Sequence, residues 1–156
     1  HCETIHYQNP RVIAGCVPHV DDQVLLCKRA IEPRYGLWTL PAGFLENGET
    51  TVDGALRECY EEALASIDNP ELCGVFDIPE INQVYIFYRG PLSKNQYGVG
   101  EESLESALFH EHEVPWDKLA FPVVELMLHH FFEDQKSGFS GLRTGSIQRP
   151  WKWIRS

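Results

Sequence analysis

The sequence predicts a single α/β domain, and three observations carry that expectation. Short runs of alternating apolar and polar residues come in pairs, before and after one strong helical pattern, and a second helical pattern follows late. That order is not a regular βαβ alternation. The chain has 156 residues, of which 43% are hydrophobic and 23% charged, the size and balance of one globular domain with a sizeable core.

Taken in order, Arg11–Val17 and Gln23–Cys27 read as strands joined through the turn-prone Val20-Asp21-Asp22, a hairpin. Arg34–Gly43, RYGLWTLPAG, crowds Gly, Pro and aromatics into a rigid loop. Thr50–Ile67 is the strongest helix. Leu72–Ile78 and Gln83–Arg89 read as strands, the second with Val84, Ile86 and Tyr88 alternating against Tyr85 and Phe87. A Gly/Ser/Asn loop spans about 90–100, and Ala107–His110 reads as a further short strand. Phe121–Lys136 places Val124, Leu128 and Phe131 at helical spacing and stops at Ser137-Gly138. There is no internal repeat. The tail Gln148–Ser156 is basic and aromatic, and the pattern assigns it no element.

The formal net charge is −10, which disfavours non-specific binding to nucleic acid or an anionic membrane. A phosphorylated small molecule remains compatible if a divalent metal screens charge locally. No apolar run approaches the roughly 20 residues that span a bilayer. The opening His1-Cys2-Glu3 is neither a start nor a leader, so a fragment is expected. Five cysteines (Cys2, Cys16, Cys27, Cys59, Cys73) lie singly, several in apolar runs, and read as buried free thiols of a cytoplasmic protein. The seven histidines show no metal-ligand spacing; His129 and His130, adjacent on a helix, point apart.

The chemistry concentrates in the first helix. At about 100° per residue, Val52, Ala55, Leu56, Cys59 and Ala63 gather on one side, and Glu58, Glu61 and Glu62 on another. At about 5 Å and an effective dielectric of 20, each carboxylate pair repels by about 3 kcal/mol. Such a face in open solvent is common; beside a packed loop such as Leu40–Gly43 it suits a hard divalent cation with oxygen ligands, Mg²⁺ or Mn²⁺.

The surrounding residues sharpen this. From Gly43 the chain reads Gly43, five residues, Glu49, seven residues, then Arg57-Glu58-Cys59-Tyr60-Glu61-Glu62. This resembles the Nudix box, G-x5-E-x7-R-E-U-x-E-E-x-G-U with U aliphatic, and all its charged and Gly positions up to Glu62 match. The lead-in Gly36–Gly43 and Lys28-Arg29 are also similar to the family, so the likeness runs loosely from about Arg11 to Phe132. Two positions depart from the box. Leu64 stands where the family has a helix-capping Gly, so the helix is expected to run on toward Asn69-Pro70, and Cys59 replaces an aliphatic residue.

The resemblance implies an α/β/α sandwich around a mixed β-sheet and a Mg²⁺-dependent (or Mn²⁺-dependent) pyrophosphohydrolase. It implies Glu58 and Glu62 as principal metal ligands and catalytic groups, Glu61 as ligand or outer partner, and a main-chain ligand at Ala42 or Gly43. Arg57 and Glu49 are implied as a supporting ion pair. The general base in many relatives is a Glu on a later loop. Glu101, Glu102 and Glu105 are the candidates here, and spacing favours Glu102 or Glu105 without separating them.

For the substrate, Ile5-His6-Tyr7-Gln8-Asn9-Pro10-Arg11 with Cys27-Lys28-Arg29 and Gly36–Gly48 resembles a narrower group, bacterial and plastid enzymes that cleave FAD or ADP-ribose, releasing AMP. That group carries an N-terminal zinc ribbon, of which Cys2 would be the last cysteine. One cysteine cannot hold zinc, so no zinc site is expected within these residues. The NADH-cleaving relatives' Ser-Gln-Pro-Trp-Pro-Phe-Pro run is replaced here by Phe76–Gln83. Tyr35, Trp38, Phe76 and Tyr85 are of the type that stacks on an adenine or flavin ring, or that builds a core; Arg34 and Arg89 could meet phosphate or simply face solvent. The substrate-binding residues therefore stay open. The expected organisation is a remnant at 1–10, the hydrolase domain at 11–147 and a tail at 148–156, with a homodimer following the family's habit. The competing readings are a nucleoside-triphosphate sanitising hydrolase and a non-catalytic nucleotide sensor, the latter disfavoured because all box carboxylates are present.

Overall fold

The computed structural model describes residues 8–148, so the expectations for Cys2, Ile5-His6-Tyr7 and most of the C-terminal tail lie outside the described residues. The organising element is the first strand, β1 (Arg11–Val20), buried without interruption from Ile13 to Pro18. A central strand covered on both faces reads as such an apolar run. β1 turns at Asp21-Asp22 into β2 (Gln23–Arg29), as the sequence predicts, but the two pair only next to the turn, at His19↔Val24 and Val20↔Gln23.

Beyond that point β1 and β2 part. Two short strands lie within the predicted loop and its edge: β3 (Trp38–Thr39) pairs with β2, and β4 (Ala42–Phe44) pairs with β1 through Ile13↔Phe44 and Gly15↔Ala42. Gly15 permits this approach. A Cβ there would sit 2.5 Å from the Ala42 Cβ and 2.7 Å from the Pro41 oxygen.

After the first helix, α1 (Thr51–Ala63), come β5 (Glu71–Ile78) and β6 (Gln83–Pro91), an antiparallel pair. β6 also runs parallel to β1 along nine residue pairs, from Arg11↔Gln83 to His19↔Pro91. β7 (Ser103–Phe109) pairs with β2 and begins earlier than its apolar end suggests. The second helix, α2 (Pro122–Ser137), precedes β8 (Arg143–Ser146), which adds parallel to β5. The strand order β3-β2-β1-β6-β5-β8 mixes parallel and antiparallel neighbours.

Each face of the sheet carries one helix. On one side Ile13, Val17, Phe87 and Phe76 meet Val124, Leu128 and Phe131 of α2. On the other Ala14, Cys16, Leu25 and Cys27 meet Ala55, Cys59 and Ala63 of α1. This is an α/β/α sandwich around a mixed sheet. Burying each large α2 side chain contributes about 1.5–3 kcal/mol, so the faces outweigh any single turn. Cys16, Cys27, Cys59 and Cys73 are buried free thiols. Among the described residues no helix is long and apolar enough to cross a membrane.

The end of α1 differs from expectation. It stops at Ala63, with Leu64 left-handed at φ 48°, rather than running on toward Asn69-Pro70. The loop before β7 supplies the reason. Gly98 N donates to the Ala63 oxygen (2.6 Å), and Gly100 N (3.1 Å) and Ser103 Oγ (2.9 Å) to the Glu62 oxygen. These bonds satisfy carbonyls that another helical turn would have used, offsetting the roughly 1–2 kcal/mol that a non-glycine residue pays in this conformation.

Candidate functional site

α1 begins where Thr50 accepts a hydrogen bond from Asp53 N, a side-chain cap. Its small buried face (Gly54, Ala55, Cys59, Ala63) lets it lie close to the sheet, which fixes the opposite face against β4. Arg57 is the hub there. Its Nε and Nη2 grip Glu49 at 2.6 and 3.0 Å, Nη1 donates to Glu58 (2.9 Å) and Glu61 (3.2 Å), and Nη2 reaches the Phe44 carbonyl at 3.2 Å. Glu49 in turn accepts from Glu46 N at 2.9 Å, which ties the loop before α1 to the helix. The guanidinium holds Glu49 below the usual carboxylate value, and Arg57 itself is pushed upward.

Glu58 and Glu62, one turn apart on α1, lie close enough for each carboxyl group to shift the other's titration. Burial pushes the Glu58 carboxyl up, against the pull of Arg57. Glu62 is raised well above the carboxylate range, first by burial and then by the Glu58 charge, with Arg29 and a backbone bond from Ala42 opposing. Two like charges held together with little access to water are costly unless something cationic or a proton stands between them. Gly43 makes room for the pair: a Cβ added there would fall on the Glu58 carboxylate.

The donors in reach are all oxygens, and a hard divalent cation is the group they fit. Among the described residues no three His, Cys, Asp or Glu side chains are arranged to hold a metal ion, so a full set needs main-chain oxygens of β4 beside the pair. Glu61 is not drawn in. It is turned to Arg57 and more than half exposed. Glu101 and Glu102 lie exposed on the loop against the end of α1, sharing a shallow groove with Tyr60, Glu61 and Leu64. Glu105, also exposed, sits on β7 opposite Lys28. The structure thus gathers Glu49, Arg57, Glu58 and Glu62, sets Glu102 beside Glu61, and leaves Glu105 on a strand.

On the other side of Ala42-Gly43 opens a cavity of about 350 Å³. Ile13, Ile78, Ile81, Tyr85, Phe121 and Val124 form apolar walls. Arg29 lines it too, its guanidinium 5.1 Å from the centre of the Phe121 ring and its Nε donating to the Pro33 oxygen at 2.8 Å. Arg34 lies alongside, bonded to the Ala120 oxygen at 3.0 Å. Arg29 acts electrostatically on both Glu62 and Tyr85, so it stands at the junction of carboxylates and cavity.

Of the side chains proposed for substrate, Arg34 and Tyr85 line this cavity. Phe76 is core, parallel to His130; Trp38 meets Phe109 edge-on in the core; Tyr35 is exposed; and Arg89 lies by Glu71 and His19, at the other end of the sheet. Sequence reasoning missed Arg29, Gln83 and Phe121. Arg29 carried a signal, a cation closing an apolar strand; Gln83 and Phe121 carried none, because only the packing of β6 on α2 brings them together.

A NUDIX domain model matches residues 9–135. The chain is 44% identical over 64 residues to the uncharacterized Nudix hydrolase YvcI of Bacillus subtilis, covering 41% of this chain and 39% of that protein. It is 29% identical over 119 residues to the ADP-ribose pyrophosphatase of Methanocaldococcus jannaschii, covering 74% and 69%. The stretch matched in YvcI is thus about two fifths of that protein. Among solved structures, a NUDIX hydrolase from Nitrosomonas europaea superposes with a TM-score of 0.89 at 49% identity, covering 94% of this chain and 84% of that one. The MutT NUDIX hydrolase of Burkholderia pseudomallei gives 0.69 at 25% identity, covering 78% and 98%.

Proposed function

Because the chain belongs to the NUDIX family, we propose that it is a divalent-metal-dependent pyrophosphohydrolase acting on a nucleoside diphosphate linked to a second moiety, with ADP-ribose or FAD as substrate and AMP as a product. The observation that carries this reading is the half-buried Glu58–Glu62 pair beside Ala42-Gly43, at the wall of an apolar cavity. The likeness to an ADP-ribose pyrophosphatase supports the substrate class.

In this reading Glu58 and Glu62 hold Mg²⁺ (or Mn²⁺) with the main-chain oxygen of Ala42 or Gly43, and Glu61 joins as a ligand or outer partner. When bound, the metal neutralises the diphosphate and lowers the pKa of a coordinated water. Arg57 keeps Glu58 in place and, through Glu49, fixes the loop that leads into α1. Arg29 meets substrate charge where the cavity joins the carboxylates. Glu102 or Glu105 takes the proton of the attacking water. Positioning and charge supply most of the rate in such a reaction. The domain spans 11–147 and acts in the cytoplasm on a small nucleotide, as a homodimer. The acidic net charge supports a small substrate over nucleic acid or a membrane surface.

The test is Mg²⁺-dependent hydrolysis of FAD, ADP-ribose, NADH, diadenosine polyphosphates and dNTPs, with products identified. AMP with ribose 5-phosphate, or AMP with FMN, is the expected result. Inorganic pyrophosphate from dNTPs alone, or no hydrolysis at all, would overturn the reading.

A further inference from the structure

We propose that the cavity beside Ala42-Gly43 receives the adenine ring of the substrate and that Gln83 reads its hydrogen-bonding edge, a reading that rests on the nucleotide substrate proposed above. The chain carries 23 Asp and Glu among its 156 residues, yet none of those among the described residues lines this cavity. Most of its lining is aliphatic or aromatic, with the guanidinium groups of Arg29 and Arg34 and the uncharged polar side chains of Thr39 and Gln83. Apolar walls with cations toward one end suit a flat, uncharged ring carried on an anionic tail.

Gln83 and Tyr85 lie two residues apart on β6 and share its inner face. Among the described residues neither the Gln83 amide nor the Tyr85 hydroxyl has a hydrogen-bond partner. Ligand pockets orient their guests with a few polar groups set among apolar walls, and these two ends are so placed in the lining of the cavity. An amide sets a donor beside an acceptor, and adenine answers on either edge with its N6 amine beside N1 or N7. A ribose or a phosphate makes little use of the apolar walls.

Size limits what the cavity takes. About 350 Å³ is near the lower limit of ligand pockets, room for a nucleoside and not for a dinucleotide. The diphosphate then lies outside the cavity, and the carboxylates behind Gly43 together with Arg29 at the junction point it over β4, toward Glu58 and Glu62.

The experiment is a double cycle between Gln83→Ala and removal of the adenine N6 amine. The wild-type protein should prefer ADP-ribose over its 6-deamino analogue by about tenfold in kcat/KM, carried by KM, with kcat unchanged. Gln83→Ala should bring that preference close to one. Gln83→Met, which keeps the volume, should do the same if the alanine variant folds poorly. The same ratio is read without turnover from the Kd of AMP and its 6-deamino analogue. A preference that survives in both variants, or AMP that fails to bind at millimolar concentration, overturns the assignment. AMP bound through Gln83 by a protein that hydrolyses nothing would overturn the proposed activity and leave this inference standing.

Discussion

Replacing Arg57 with alanine tests the hub of the site most directly, because the loss can be built up from its partners. Arg57 makes five hydrogen bonds, two to Glu49 and one each to Glu58, Glu61 and the Phe44 carbonyl. Glu61 is 55% exposed, so its contact contributes close to nothing. Glu49 and Glu58 are only 17% and 13% exposed and would be left without a counterion. Hydrogen bonds to charged groups contribute about 1.5–3 kcal/mol each, are not additive, and are weakened where water reaches them, which leaves about 2–3 kcal/mol in all. For a chain of this length that lowers Tm by about 4–12 °C. Arg57→Lys keeps the charge but not the fork and should lose about half as much. Arg57 holds Glu49 below its ordinary 4.5. That contribution is therefore present above this pH and lost as pH falls through the lower folded value, so wild type and variant should converge in acid. Thermal unfolding across pH reads all three. An alanine variant that melts with the wild type at neutral pH would refute the hub.

Glu62→Gln and Glu58→Gln should each cost at least about 100-fold in metal-dependent turnover. With no metal added, Glu62→Gln should melt no lower than wild type, because it removes one of two like charges held together in a half-buried position; full activity in either variant would break the ligand assignment. At the far end of the sheet, burial and the neighbouring Arg89 push His19 below its usual 6.5, while the Asp21 charge and backbone oppose. The folded state then binds fewer protons than the unfolded one. Its contribution is present above pH 6.5 and lost as pH falls toward the folded value, so His19→Gln should flatten the urea-midpoint profile in that window. An unchanged slope would remove His19 from the account.

The parts legible in sequence are those whose geometry is local. Spacings of three and four on one helix put Glu58, Glu61 and Glu62 on one face, and alternation placed five of the strands. β8 was not visible because Arg143–Ser146 is polar; an ion pair between Arg143 and the buried Asp134 and a bond from Ser146 to Asp77 hold that edge strand in place. The end of α1 was misjudged because it is set by glycines more than thirty residues later. Gly100 lies so close that a Cβ there would collide with the Glu61 carbonyl. The cavity was invisible for the same reason. Ile13, Ile78, Gln83 and Phe121 come from four separate segments, and no window of sequence holds them together.

The three residues of β4 show how that long-range geometry serves chemistry. A two-residue turn would ordinarily zip β1 to β2 along their length, yet their pairing ends after two residue pairs. Gly15 lets Ala42 take the vacated edge of β1. β2 goes instead to β3 and β7, which carries Arg29 to the mouth of the gap. Ala42-Gly43 thereby becomes a wall one strand thick, with the Glu58–Glu62 pair on one side and the apolar cavity on the other. A thicker wall would separate the recognition of a base from charge on its diphosphate; a fully zipped hairpin would leave no wall at all. The parting of β1 from β2 is therefore what couples the two halves of the site, and the helix alone, with every carboxylate in place, would have nothing to act on.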